Sequence, residues 1–452
     1  MAVDALELSK REGSPQAVAY YANRRLFYWN ILWFMLGNSA AIFGTQTAQN
    51  LMPLHMVQAG LTPRQISLVL ATSNWIGIPM LLYVAHLSDN WQWRWGRRLP
   101  FVALATPFMV VLLFVFPHTT MFVSCLVGYS MYQCACKIKS DSYPYLAVDV
   151  SPQKYWGRIT GLSGVLGAGA VWLGQVVLMP MVQTRGATFV FNLAGVLVLV
   201  TSLITLLFIK ESPVRSDTPP RFNPLPVIWS TLKFGFGNKK RLVICILYPV
   251  MCGNIVVSYF ISLQAKVNLQ LTEGEIGRYI LQYGTIVNFG FMFILGWLID
   301  KIGTPKCCVI GCGFSLLAAL LGYDPSLSSH FAGTLGLRIS PVATLASAYI
   351  CNVMVNMFAC VSFGVFIMSC VKRTEVATFC ACTGTTNLFM VGANVSLAGL
   401  VIERVFNGQY GFVFIASVIY TIIAVTCFLF LYKWLKPVSG QELENKAQDV
   451  VA

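Results

Sequence analysis

The chain has little charge to spare. Only 11% of its 452 residues are Asp, Glu, Lys or Arg, while 56% are hydrophobic. A soluble globular protein carries about 25% charged residues, so this composition cannot clothe a soluble surface. Acid is scarcer than base: 17 Asp and Glu face 31 Lys and Arg, a formal net charge of +14. Histidine is nearly missing, and His55, His86, His118 and His330 are scattered without metal-ligand spacing. The 14 cysteines include no Cys-x-x-Cys pair. Cys307 and Cys308 are adjacent, and Cys380 and Cys382 have no His nearby, which leaves zinc and thioredoxin-like readings without support. Most cysteines, such as Cys134, Cys136, Cys351 and Cys360, sit in apolar runs as small packing residues. No glycine loop followed by Lys-Ser or Lys-Thr is present, which argues against ATP-driven chemistry. Nor is there a clustered nucleophile or metal constellation, so the chain is not read as an enzyme and no metal or cofactor is expected.

What is abundant is long apolar sequence. Runs of spanning length fall at 26–54, 66–88, 99–117, 119–148, 159–184 and 187–209, then at 242–264, 276–300, 307–323, 341–370, 378–402 and 411–432. A bilayer core needs about 20 apolar residues per helix. The pattern therefore predicts an all-α membrane protein of about twelve transmembrane helices in two six-helix bundles. Residues 1–25 are polar and form an N-terminal segment; the long run that follows does not read as a signal peptide. The bundles occupy 26–209 and 242–432. The segment between them, 210–241, is basic and holds Pro213, Pro219, Pro220, Pro224 and Pro226. A tail, 433–452, closes the chain.

The basic residues alternate in density from loop to loop. They crowd the N-terminus, the loops at 94–98, 154–158, 301–306 and 372–373, the 210–241 segment and the tail. The other side holds only Arg64, Arg185, Lys266, Arg278, Arg338 and Arg404. By the positive-inside rule both termini lie in the cytoplasm and the helix count is even. The positive charge thus marks a membrane partner, in the cell membrane, rather than nucleic acid.

Two loops repeat each other. After the second run comes Ala85-His86-Leu87-Ser88-Asp89-Asn90-Trp91-Gln92-Trp93-Arg94-Trp95-Gly96-Arg97-Arg98-Leu99-Pro100-Phe101. After the eighth comes Gly296-Trp297-Leu298-Ile299-Asp300-Lys301-Ile302-Gly303-Thr304-Pro305-Lys306. In both, a small residue is followed four places later by an acid, then by a glycine turn and basic residues. The small residue lets helices approach, the glycine turns the chain, and the bases can pair with the acid in one conformation only.

These loops resemble the signature loop of the major facilitator superfamily. The first is similar to the version in the glycoside–pentoside–hexuronide:cation symporters, the melibiose- and sucrose-type carriers. Tyr143-Pro144-Tyr145-Leu146-Ala147-Val148-Asp149, Gly157-Arg158 and a glycine-rich fifth run (Gly161, Gly164, Gly167, Gly169, Gly174) agree with it. The resemblance implies a secondary carrier working by alternating access, with a small-molecule cargo that is a sugar or glycoside moved with a proton. It also implies a cytoplasmic gate of Asp89, Arg94, Arg97, Arg98, Asp149, Arg158, Asp300, Lys301 and Lys306, in a carrier that functions as a monomer. Sodium is the weaker coupling ion, because the acids that melibiose-type carriers use in helix 2 have no counterpart in 66–87.

Charges inside a membrane are costly and normally face a partner or a wet cavity. Lys137, Lys139 and Asp141 fall in the fourth run. Lys137 and Asp141, four apart, share a helical face, and Lys139 points elsewhere. Either the pair handles substrate or a proton, or helix 4 ends early and the three lie in the interface. Gln133, Asn38, Gln46, Asn254, Gln282, Asn352, Asn356 and Asn387 supply amides that suit sugar hydroxyls, or else join helices. Lys137 and Lys139 would favour an organic anion such as a uronide, and the resemblance also allows a lipid-like cargo. A uniporter, and a non-transporting sensor, remain as further readings.

Overall fold

The computed structural model describes residues 24–90, 98–150, 156–210, 223–334, 339–369 and 376–435. Every element among them is helical. The first six rods are α1 (Arg24–Gln58), α2 (Pro63–Asn90), α3 (Leu99–Val115), α4 (Phe122–Val150), α5 and α6 (Ala187–Phe208). Rod α5 runs from Trp156–Leu173 through a π segment, Gly174–Leu178, into Met179–Arg185. A short linker helix, Pro224–Phe236, precedes the second six. There α7 is Lys239–Met251, a 3-10 turn Cys252–Asn254, and Ile255–Asn268. Rod α8 is Glu273–Ile276, a π segment Gly277–Leu281, and Gln282–Ile302. Then come α9 (Thr304–Gly322), a loop helix Pro325–Thr334, and α10, which is Pro341–Val355, a π segment Asn356–Val361 and Ser362–Ser369. The last two are α11 (Val376–Arg404) and α12 (Phe412–Leu435). Ten rods hold a stretch long and apolar enough to cross a membrane; α4, with Gln133, Lys137 and Lys139 in its length, and α8 complete the set.

The helices are apolar on more than their buried side, which is what lipid requires. On α3, Val102, Ala105, Met109 and Leu113 are buried while Leu104, Phe108, Val111 and Val115 face outward. On α6, Ala194, Val198, Ser202 and Thr205 are buried while Val196, Val200, Leu203 and Leu207 face outward. Proline explains one irregularity. Pro249 cannot donate to the carbonyl one turn back and crowds it, and the α-helix of α7 gives way to a 3-10 turn three residues later.

The two halves repeat one packing scheme. In the first, α1 packs on α5 and α6, α3 on α4 and α6, and α2 on α4. In the second, α7 packs on α11 and α12, α9 on α10 and α12, and α8 on α10. Every one of these pairs recurs six helices later. Between the halves, α2 lies along α11 and α5 meets α8. Advancing either cross-pair by six positions in the repeat gives the other, so the two lobes are related by a pseudo-two-fold axis.

Alternating helix direction puts Arg24, Leu435 and the linker helix at one end, here the linker end; the opposite end is the distal end. One hydrophobic core joins both lobes, and it lies at the distal end: Met52, Leu70, Met109, Tyr129 and Phe191 of the first share it with Phe260, Ile280, Val395 and Phe414 of the second. At the linker end the described residues form separate cores. Phe34, Val102 and Leu146 belong to the first lobe, and Cys308, Phe363, Phe379, Leu295 and Phe358 to the second. Among the described residues the lobes are therefore closed together at the distal end.

Candidate functional site between the lobes

Where the shared core ends, a polar column begins. Tyr129, Gln133 and Lys137 stand at successive turns of α4 and share its face. Gln133 Nε2 donates to Tyr129 Oη at 2.9 Å, and both residues are buried. From α2, Asn74 faces Tyr259 of α7 across the lobe boundary, amide to phenol, at 3.4 Å. Gly77, one turn along α2, leaves room for Lys137: a Cβ there would lie 3.8 Å from both the Lys137 Cγ and the Leu388 Cδ1 of α11. Lys137 is half-buried, one turn nearer the linker end than Gln133. Four helices, two from each lobe, thus surround a set of amide, phenol and ammonium groups.

The second lobe adds a separate amide group. Gly253, in the 3-10 turn of α7, lies against the Tyr420 ring of α12, and Tyr420 Oη donates to Asn394 Oδ1 of α11 at 2.9 Å. Asn254 and Asn352 are buried. Among the described residues, Asn352 Oδ1, Asn387 Oδ1 and Asn394 Nδ2 are buried with no hydrogen-bond partner. Buried amide atoms of this kind cost free energy unless water or a ligand meets them.

The other candidates from the sequence are placed as follows. Lys139 turns away from Lys137 and is buried against α6, where its Nζ donates to Ser202 Oγ at 2.5 Å. Asn38 donates to Ser163 Oγ of α5 at 2.7 Å, a helix–helix bond inside the first lobe. Gln46 and Asn356 are exposed, and Gln282 and Asn387 are half-buried. Helix α4 continues through Pro144 to Val150, so it does not end before Asp141. Arg98 is buried at the start of α3, while Lys301 and Lys306 are exposed on either side of Gly303. Gly303 has φ 83°, which a side chain would strain, and this accounts for the glycine of the second loop. Arg94 and Arg97, and the side chains of Asp89, Asp141, Asp149, Arg158 and Asp300, lie outside the described residues.

The sequence reading missed the distal closure. Gln58 of α1 donates to Glu273 Oε1 of α8 at 2.8 Å, and Lys266 pairs with the same carboxylate. Glu403 of α11 accepts from the backbone N–H of Arg64 at the start of α2. Thr285 of α8 donates to Gln175 Oε1 of α5 at 2.9 Å, where the two π segments meet. Trp75 donates its indole N–H to the Phe389 carbonyl at 3.2 Å. The only local signal was Thr272-Glu273-Gly274-Glu275, a capping box, which marks a helix start but not a lobe contact.

Two six-helix repeats, packed around a polar centre and closed over it at the distal end, have the build of a secondary carrier of the alternating-access type. The chain belongs to the Major Facilitator Superfamily, whose family model matches residues 34–387. That family transports solutes and is not a family of enzymes. The fold is similar to that of the nucleoside transporter NupG, with a TM-score of 0.70, 13% identity, and 89% of this chain and 99% of that one covered. A bacterial homolog of the human lysosomal transporter Spinster, in an inward-facing and unoccupied conformation, has a TM-score of 0.65 at 13% identity, covering 91% of this chain and 98% of that one. A POT family transporter in complex with 5-aminolevulinic acid has a TM-score of 0.67 at 10% identity, covering 90% and 96%. No curated protein matches the chain.

Proposed function

We propose that this carrier moves a small, hydroxyl-rich organic anion, of the sugar-acid kind, through the polar column between the lobes. The observation that carries the reading is the stacking of one ammonium group, Lys137, a turn from the amide and phenol groups of Gln133, Tyr129, Asn74 and Tyr259. Amides and phenols exchange hydrogen bonds with hydroxyls, and the ammonium offsets the desolvation of an anion. The similar folds include a nucleoside transporter and one holding 5-aminolevulinic acid, which supports a polar organic cargo not confined to neutral sugars. Asn254, Asn352 and Asn387 would complete the site from the second lobe, with Gln282 and Asn356 towards its edge. Lys139 then serves the α4–α6 contact rather than the cargo.

In this reading both termini and the linker lie in the cytoplasm of a cell-membrane carrier. The distal closure then lies on the outer side, and Asp89, Arg94, Arg97, Arg98, Asp149, Arg158, Asp300, Lys301 and Lys306 latch the cytoplasmic side. Purified protein in vesicles should take up a uronic acid in preference to its neutral sugar. Lys137→Gln should lower anion uptake at least tenfold, with Lys137→Arg keeping part of it. Equal uptake by wild type and Lys137→Gln would remove the anion reading.

A second reading, a neutral sugar or glycoside moved with a proton, is favoured by the likeness of the Asp89–Phe101 loop to that of the glycoside–pentoside–hexuronide symporters. There Lys137 and Asp141, on one helical face, would exchange the proton. Asp141→Asn should then abolish the pH dependence of uptake while leaving exchange of bound sugar intact.

A further inference from the structure

The linker helix has two faces that ask for different surroundings. Thr231 and Gly235, one turn apart, rest on α11: Cys382 Sγ lies 2.9 Å from the Thr231 carbonyl, and a Cβ on Gly235 would meet the Cys382 side chain. About 120° round the helix, at roughly 100° per residue, lies an exposed apolar stripe. Leu225 is 73% exposed, Trp229 69% and Phe236 40%. These residues stand one turn and three turns apart, on one side of a helix of 13 residues. Exposed Lys233 flanks the stripe, and exposed Lys239 and Lys240 follow where α7 begins.

The neighbouring rod presents the same chemistry. Trp434, at the end of α12, is exposed and carries Lys240 over its ring at 5.7 Å. Arg241 lies over Phe234 at 4.0 Å. No Asp or Glu occurs in 223–272. Tryptophan beside lysine at the end of a spanning helix marks the level of lipid headgroups. An apolar stripe edged by lysines, lying at that level, is the pattern of a helix that lies in the interface of a membrane carrying negative charge.

We infer that the linker helix is a membrane-surface segment seated on an anionic phospholipid leaflet. Leu225, Trp229 and Phe236 enter the acyl boundary, and Lys233, Lys239 and Lys240 take the phosphate headgroups. The linker helix is thus docked to α11 by Thr231 and Gly235, packs on α2 as well, and meets lipid with its exposed flank.

The test uses full-length protein in vesicles of phosphatidylcholine with or without phosphatidylglycerol. Lipid brominated near the headgroup should quench a component of tryptophan fluorescence that Trp229→Phe removes. Mass spectrometry of the protein released from mixed vesicles should find bound phosphatidylglycerol enriched. Each lysine near the surface contributes about 1 kcal/mol, so neutralising Lys233, Lys239 and Lys240 to Gln should lower that enrichment roughly fivefold per residue, and changing all three to Arg should keep it. The Arg variant guards against a loss caused by misfolding alone. Quenching unaffected by Trp229→Phe, or enrichment unaffected by the Gln variant, would overturn the inference. So would quenching of Trp229 that appears only after residues 437–452 are removed, which would give the stripe to the chain's own tail, or only on dissociating a dimer, which would give it to a second copy.

Discussion

Glu403, in the last turn of α11, accepts a hydrogen bond at 2.9 Å from the backbone N–H of Arg64, in the first turn of α2. A free N–H at a helix start needs an acceptor, and a carboxylate there also meets the positive end of the helix dipole. Here the acceptor comes from the opposite lobe. The bond therefore exists only while the distal end is closed, which makes it a latch rather than a support for either lobe alone.

Removing that latch should shift the balance of the two end states. Caps of this kind are worth about 1 kcal/mol, so Glu403→Ala should raise the distally open population about fivefold. Spin-label distances between the distal ends of α2 and α11 would report it. Glu403→Gln, which keeps an acceptor oxygen, should shift them less. Unchanged distances in the Ala variant would show that Glu403 does not hold the closure.

The α5–α8 crossing offers a steric counterpart. A Cβ at Gly277 would run into the Gln175 backbone, its carbonyl oxygen first and its carbonyl carbon at 3.2 Å. Backbone yields far less readily than the tip of a side chain. Gly277→Ala should force α5 and α8 apart and favour distal opening, read as faster modification of labels placed beside Gln183. Gly290→Ala, which meets nothing within 4 Å, should leave labelling unchanged.

Lys139 and Ser202 make an asymmetric prediction. The ammonium is buried and bonded to a hydroxyl that itself donates to the Val198 carbonyl at 2.6 Å. Taking away the hydroxyl strands a charge, a loss of about 1–3 kcal/mol; taking away the charge in favour of an apolar chain of equal length costs little. Ser202→Ala should therefore lower the thermal unfolding midpoint in detergent more than Lys139→Met does. The reverse order would assign Lys139 a stabilising role of its own.

Glu275 supplies a pH-dependent contribution outside the membrane. The Thr272 backbone N–H, and then its hydroxyl, hold the Glu275 carboxyl below its ordinary value of 4.5. A depressed folded value means that the stabilisation is complete above 4.5 and is lost as pH falls through the folded value. Glu275→Gln keeps an acceptor and does not titrate. The wild type should lose thermal stability relative to this variant on acidification below 4.5, and should show no such divergence near neutrality.

The rods were readable because apolar length is a local property. Each run was long, and the glycine of the second loop was visible as a turn residue before Gly303 was seen at φ 83°. The linker helix escaped notice because its prolines and bases drew attention from the spacing of Leu225, Trp229 and Phe236. Lys137 and Lys139 could be set on opposite faces from helical geometry alone. That one meets Gly77 and Leu388 while the other meets Ser202 depends on which helices flank α4. Tyr129 looked like any aromatic in an apolar run until Gln133 was found bonded to it.

By itself the sequence determined an all-helical membrane chain, with two repeats and a basic linker between them, because bilayer thickness and the cost of burying charge act on each segment separately. Tertiary structure alone decided which end is closed and which residues meet there. Gln58 and Glu273, Arg64 and Glu403, and Asn74 and Tyr259 come from opposite lobes, far apart in the chain. No periodicity records such a meeting, since it follows from how two six-helix bundles lean on each other.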